Sequence, residues 1–229
     1  MEKTLVLFDI GGVQMQLDYM VMLKELGRLA GIGPEEAKAR YVKSDAENDL
    51  MRGAITPGEY FDRLRKALVI NSDDNALVAA LALSWKCKIQ PVIDIKTALI
   101  EAGYSVGNFS NAHAIASENL GVKFPEIYAS DSVSFPGIYS HLVGGIKPEP
   151  AMYEKVKGFD RVVFIDDNRK YVAKGCEYGW NGILLTRYID LGEAVRSSQA
   201  GIDVKTADIV VANSVEELAS ALRSLGLKF

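Results

Sequence analysis

The sequence predicts an α/β protein built on a doubly wound parallel sheet, with a helical module inserted after the first strand. Three observations predict it. Short apolar runs of strand length alternate with helical patterns through the second half of the chain. A run of the same kind, TLVLF at residues 4–8, stands alone near the start. Between it and the next strand, residues 14 to about 90 carry helical periodicity and helix start signals almost throughout.

TLVLF has β-branched and aromatic content and stops at Asp9, with Gly11 and Gly12 following. Glycines there let backbone amides approach an anion closely. In the insert, GPEEAKARYV places Pro34 near a first helical position, and TPGEYFDRLRKAL offers Thr56 as an N-cap. Asn71 to Asp74 mark a turn before NALVAALALSW, where Trp85 and the aliphatic residues from Ala76 to Leu83 are expected to pack where insert meets sheet. Then come YSVGNF (104–109) before AHAIASENLG, RVVFI (161–165) before NRKYVAKGCEYG, GILLT (182–186), and DIVVA (208–212) leading into SVEELASALRSLG. The insert leaves and re-enters near the sheet's C-terminal edge and is expected to sit over it. Residues 130–145 and 188–207 exceed a minimal connection and read as surface excursions.

At 229 residues, 48% hydrophobic and 24% charged, the chain can bury a full core. A formal charge of −4 without a basic stripe speaks against a nucleic-acid polymer and leaves small phosphorylated molecules as partners. MEKTLVLFD is too short an apolar stretch for a signal peptide, and Ala76 to Trp85 is too short to span a bilayer, so a cytoplasmic protein with no membrane partner is expected. Cys87 and Cys176 lack CxxC spacing, which argues against zinc or a disulfide framework and predicts buried reduced thiols. No segment speaks to oligomeric state.

Polar groups directly follow three strand-like runs: Asp9 after TLVLF, Ser110 after YSVGNF, and Asp166 with Asp167 after RVVFI. In a parallel sheet these are neighbouring C-terminal strand ends, where ligands of open α/β sheets bind. Lys147, in GGIKPEPAMYEKV, can project a charge toward the same edge. Taken alone, Ser110 reads as a turn or N-cap residue, Lys147 as a surface lysine, and one of the paired aspartates as the N-cap of the next helix. His113 reads as a helix-surface histidine, although it could approach a substrate; Arg169 and Lys170 read as solvated helix residues.

FDIGGV, FSN, IKPEP and FIDDN, in this order, resemble motifs I to IV of the haloacid dehalogenase superfamily, and the helical segment is similar to its α-helical cap. The resemblance implies a Rossmann-like α/β core of residues 1–13 and 91–229 and an all-helical cap domain of residues 14–90. It implies an Mg²⁺-dependent phosphatase-like hydrolase of a small phosphomonoester, with sugar phosphates the first guess and nucleotides the second. Asp9 would be the nucleophile that forms an aspartyl-phosphate. Its other oxygen, the Gly11 carbonyl and Asp167 would hold Mg²⁺, with Asp166 binding it through water or exchanging roles with Asp167. Lys147 would neutralise phosphoryl charge, and Ile10, Gly11, Ser110 and Asn111 would bind phosphate. Such a set suits phosphoryl transfer, which needs in-line attack and charge clamps more than elaborate covalent chemistry.

Gly11 departs from the pattern. Most phosphatases of the superfamily have there an aspartate that protonates the leaving alcohol, help typically worth about 10²- to 10⁴-fold. Its loss is expected to slow turnover without abolishing it, and water or a cap carboxylate, with Asp18 as the candidate, could substitute. The departure also admits a non-catalytic module that binds a phosphorylated ligand. A 2-haloacid dehalogenase, which needs no metal, likewise lacks that acid, but FIDDN argues against it.

Overall fold

The computed structural model describes residues 2–186 and 209–229. The chain opens with β1 (Thr4–Phe8) and β2 (Met15–Leu17), then five helices: α1 (Tyr19–Ala30), α2 (Pro34–Ser44), α3 (Ala46–Met51), α4 (Pro57–Leu68) and α5 (Asp74–Ala82). Next come β3 (Trp85–Lys88), α6 (Gln90–Glu101), β4 (Ser105–Ser110), α7 (Ala114–Lys123), and the single turns α8 (Pro125–Tyr128) and α9 (Ser130–Val133). β5 (Ile138–Tyr139), α10 (Ser140–Val143), α11 (Pro150–Tyr153), β6 (Arg161–Asp166), α12 (Arg169–Glu177), β7 (Asn181–Leu185), β8 (Ile209–Ala212) and α13 (Val215–Ser224) follow.

Six strands form a parallel sheet in the order β5-β4-β1-β6-β7-β8. Alternate residues of β1 enter opposite cores. Val6 and Phe8 pack with Val106, Val163, Ile183, Leu99 of α6 and Leu222 of α13, while Leu5 and Leu7 pack with Phe109, Phe164, Tyr153 and Trp180. Burial on both faces explains why these strands read as unbroken apolar runs. β1 lies between β4 and β6, so Asp9 emerges between Ser110 and the Asp166–Asp167 pair.

Helices α1 to α5 gather around a cluster of their own, including Leu26, Tyr41, Tyr60, Leu64 and Leu77, to which Ile115 of α7 also contributes. Local signals set their ends. Thr56 and Glu59 form a reciprocal capping box at α4, and Pro34 opens α2. Leu77, Ala80 and Leu81 belong to this cluster, whereas Trp85 packs with Ile10, Met15, Ile93 and Ala112 beside the sheet.

Three expectations change. The insert is not wholly helical, because β2 and β3 pair antiparallel where the chain leaves and returns. Residues 130–145 are not a plain surface excursion: β5 extends the sheet, and Ser130, Ile138, Tyr139 and Ser140 are buried. Cys87 is exposed and Cys176 partly exposed, since Cys87 faces outward on a two-stranded ribbon that buries Trp85. The stretch 188–207 lies outside the described residues. No helix among the described residues is long and apolar enough to cross a membrane.

Candidate active site

The strand ends converge on a compact ionic cluster. The backbone N–H of Asp9 donates to the Ile165 carbonyl at 2.9 Å, which ties the end of β1 to β6. Beyond it the chain turns tightly, with the Gln14 and Met15 amides donating to the Ile10 carbonyl at 2.9 and 2.8 Å. Gly12 sits in the left-handed region at φ 73°, as the turn requires.

Lys147 stands at the centre of the cluster. Its Nζ donates to Asp166 Oδ2 at 2.6 Å and to the Phe109 carbonyl at 2.9 Å, and lies 3.0 Å from Asp9 Oδ1. The side chain is 1% exposed, so this is no surface lysine. Burial works to lower its affinity for the proton, but the Asp166 and Asp9 charges outweigh burial and hold the ammonium firmly charged. Asn111 fixes the backbone that carries it: Lys147 N–H donates to Asn111 Oδ1 at 2.7 Å, and Asn111 Nδ2 donates to the Lys147 carbonyl at 3.2 Å.

Asp9, Asp166 and Asp167 each bring a carboxylate oxygen within 4.8 Å of the others. Burial, and then the neighbouring acids, raise the carboxyls of Asp166 and Asp167 well above the usual range despite Lys147. Asp9 Oδ1 is buried and accepts no directed hydrogen bond, being held by the Lys147 charge alone. Three acids facing one ammonium, an orphaned carboxylate oxygen and an all-oxygen donor set fit a hard divalent cation such as Mg²⁺.

Asn168, not either aspartate, caps α12, its Oδ1 accepting from Lys170 N–H at 3.0 Å. Asp166 Oδ1 accepts from the Asn168 amide at 2.7 Å instead, which aims the opposite oxygen at Lys147. His113 is also corrected. It is 7% exposed and caps α7, its Nδ1 accepting from Ala116 N–H at 3.0 Å, because the chain turns inward directly after β4.

A cavity of about 70 Å³ opens beside the cluster, bounded by Gly11, Ser110, Asn111 and His113 from the sheet edge and by Tyr19, Met22, Glu47 and Met51 from the insert. At about 10–15 Å³ for each water, it holds roughly five, the room of a compact organic group. Ser110 is buried at the end of β4 and faces this space, and Ile10 lines it as well.

The fold as a whole superposes on solved structures. The HAD family enzyme BT-2542 from Bacteroides thetaiotaomicron superposes with a TM-score of 0.72 at 21% identity, covering 86% of this chain and 100% of its own. The chain has the haloacid dehalogenase fold. BT-2542 in complex with magnesium and inorganic phosphate gives 0.69 at 22% identity, covering 78% and 91%. Also similar is the L-2-haloacid dehalogenase from Xanthobacter autotrophicus, at 0.60, 15% identity, 98% and 100% coverage. No protein-family model and no curated protein sequence matches the chain. The haloacid dehalogenase fold thus stands on structure, and it includes proteins of more than one chemistry.

Four residues outside the motif reading support or flank the site. Gln14 Nε2 donates to the Asp9 carbonyl and to Asn108 Oδ1, both at 2.9 Å, and the buried Lys96 donates to Gln14 Oε1 at 2.9 Å and Asn108 Oδ1 at 2.7 Å. The available signal was a polar residue inside an apolar pattern: Asn108 in YSVGNF and Lys96 in PVIDIKTALI. Glu47, the fourth, lies on a six-residue helix rich in acids and carries no such signal.

Proposed function

We propose that this chain is an Mg²⁺-dependent, phosphatase-like hydrolase that acts on a small phosphomonoester in the cytoplasm. The carrying observation is Asp9, held 3.0 Å from the Lys147 ammonium and grouped within 4.8 Å with Asp166 and Asp167. Mg²⁺, held by Asp9, Asp167 and the Gly11 carbonyl with Asp166 beside them, would supply neutralisation of the phosphoryl oxygens.

Asp9 then attacks phosphorus in line, and an aspartyl-phosphate forms as the ester bond breaks. Lys147 offsets the charge that gathers on the phosphoryl group, and its ties to Asp166 and Phe109 hold its ammonium in place beside Asp9. Ser110, Asn111 and the backbone at Ile10 and Gly11 form the phosphate end of the pocket. We assign residues 14–90 as the cap over a core of residues 1–13 and 91–229, with Tyr19, Met22, Glu47 and Met51 facing the organic part of the substrate. We take a sugar phosphate as the first candidate substrate and a nucleotide as the second.

A second reading, a phosphate-binding module without turnover, follows from Gly11, above which Leu17 occupies the space: a Cβ at Gly11 would lie 2.8 Å from Leu17 Cδ1. A panel of phosphomonoesters assayed with Mg²⁺, beside Asp9→Asn, separates the readings. Turnover abolished in the variant supports the hydrolase, whereas phosphate binding without turnover supports the module. Chloride release from 2-haloacids in a chelator would replace both with a dehalogenase.

A further inference from the structure

Hydrolysis of an alkyl phosphate needs a proton for the departing alcohol, and Gly11 has none to give. Asp18, the acid next to the entry of the insert, is committed elsewhere. Its Oδ1 accepts from the Met20 and Val21 amides at the start of α1, and its Oδ2 pairs with Lys86 at 2.8 Å.

Glu47 is placed differently. It projects from α3 into the wall of the cavity that Gly11, Ser110 and Asn111 also line, and among the described residues lining that cavity it is the sole carboxylic acid. The Tyr41 hydroxyl from α2 lies close to it and sits 3.1 Å from the Tyr60 hydroxyl of α4, so the position is flanked by two neighbouring helices. Tyr19 of α1 lines the same cavity, and its hydroxyl feels the charges of Glu47, Asp167 and Asp9. Burial pushes Glu47 up to about 7 against the nearby Tyr41 hydroxyl, so the group can both hold and release a proton near neutral pH.

Resting on the phosphatase reading above, we propose that Glu47 is the general acid and base of this site, supplied by the insert in place of a side chain at Gly11. In the first half-reaction an Asp9 oxygen bonds to phosphorus, the bond from phosphorus to the leaving oxygen breaks, and the Glu47 proton passes to that oxygen. In the second, the Glu47 carboxylate takes a proton from water as the water oxygen bonds to phosphorus and the Asp9–phosphorus bond breaks. Phosphate leaves, Asp9 returns as carboxylate and Glu47 returns protonated.

The test compares first-turnover and steady-state alcohol release by the Mg²⁺-loaded wild type, Glu47→Gln and Asp9→Asn. One substrate is glycerol 2-phosphate, whose alcohol needs a proton; the other is 4-nitrophenyl phosphate, whose nitrophenolate needs none. Glu47→Gln is expected to slow first-turnover release from glycerol 2-phosphate by about 100-fold or more, and to release nitrophenolate in a rapid burst followed by slow steady turnover. Equal losses on both substrates in the first turnover, or none, overturn the assignment, with a thermal melt confirming that the variant is folded. If Asp9→Asn still abolishes release, only Glu47 is misassigned. If the wild type releases nothing, or Asp9→Asn matches it, the phosphatase reading falls as well.

Discussion

Gly12 leaves the room that Asp167 occupies: a Cβ on Gly12 would lie 2.0 Å from Asp167 Oδ2. The φ of 73° at Gly12 and the carboxylate of Asp167 are therefore one structural unit, joining the turn after β1 to the loop after β6. Gly12→Ala must both strain the turn and displace that oxygen. The variant is expected to bind Mg²⁺ at least about tenfold more weakly, in line with the usual cost of disturbing groups around a metal. Calorimetric titration of Mg²⁺ into wild type and variant checks this, and unchanged affinity would separate Asp167 from the metal.

Lys147→Met should destabilise the metal-free protein by about 3 kcal/mol or more, because Asp166 and Asp9 lose the cation that compensates their burial. Urea unfolding measures it. Added Mg²⁺ should recover part of the loss, since a cation in the cluster meets the same charge.

His113 titrates against stability. Burial, with His141 adding to it, lowers its folded-state value from 6.5 to about 4. Between those values the unfolded chain binds more protons, so stability is full above about pH 6.5 and is lost as pH falls toward about 4, by about 3 kcal/mol for this group. His113→Asn keeps an acceptor for the Ala116 amide and removes the titration. Its stability profile should be flatter over that window when followed by thermal unfolding at stepped pH.

Lys96→Met removes the donor to Gln14 Oε1, a buried acceptor whose amide partner supports the Asp9 carbonyl. A cost of about 1–3 kcal/mol is expected from that unmet acceptor. Urea unfolding of Lys96→Met beside the wild type checks it, and an unchanged midpoint would contradict it.

The strands that carry Asp9 and Asp166 were legible because burial on both faces makes each an apolar run, and the strand before Ser110 was legible despite the buried Asn108 within it. β2, β3 and β5 were not: they have three, four and two residues, too few to show a period. The positions of Asp9, Lys147, Asp166 and Asp167 follow from strand ends and motif order. His113 and Glu47 depend on how helices from separate parts of the chain pack, and nothing local marks either as lining a cavity. The same holds for Leu17, whose place above Gly11 is set by the pairing of β2 with β3.

A crystal structure of the protein grown with Mg²⁺ and beryllofluoride shows whether Asp9 receives the phosphoryl group. A beryllium–oxygen bond to the Asp9 carboxylate is expected, with Lys147 and Ser110 on the fluorides and Mg²⁺ among Asp9, Asp166 and Asp167. An adduct on another carboxylate, or beryllofluoride bound with Asp9 left out of contact, would contradict it.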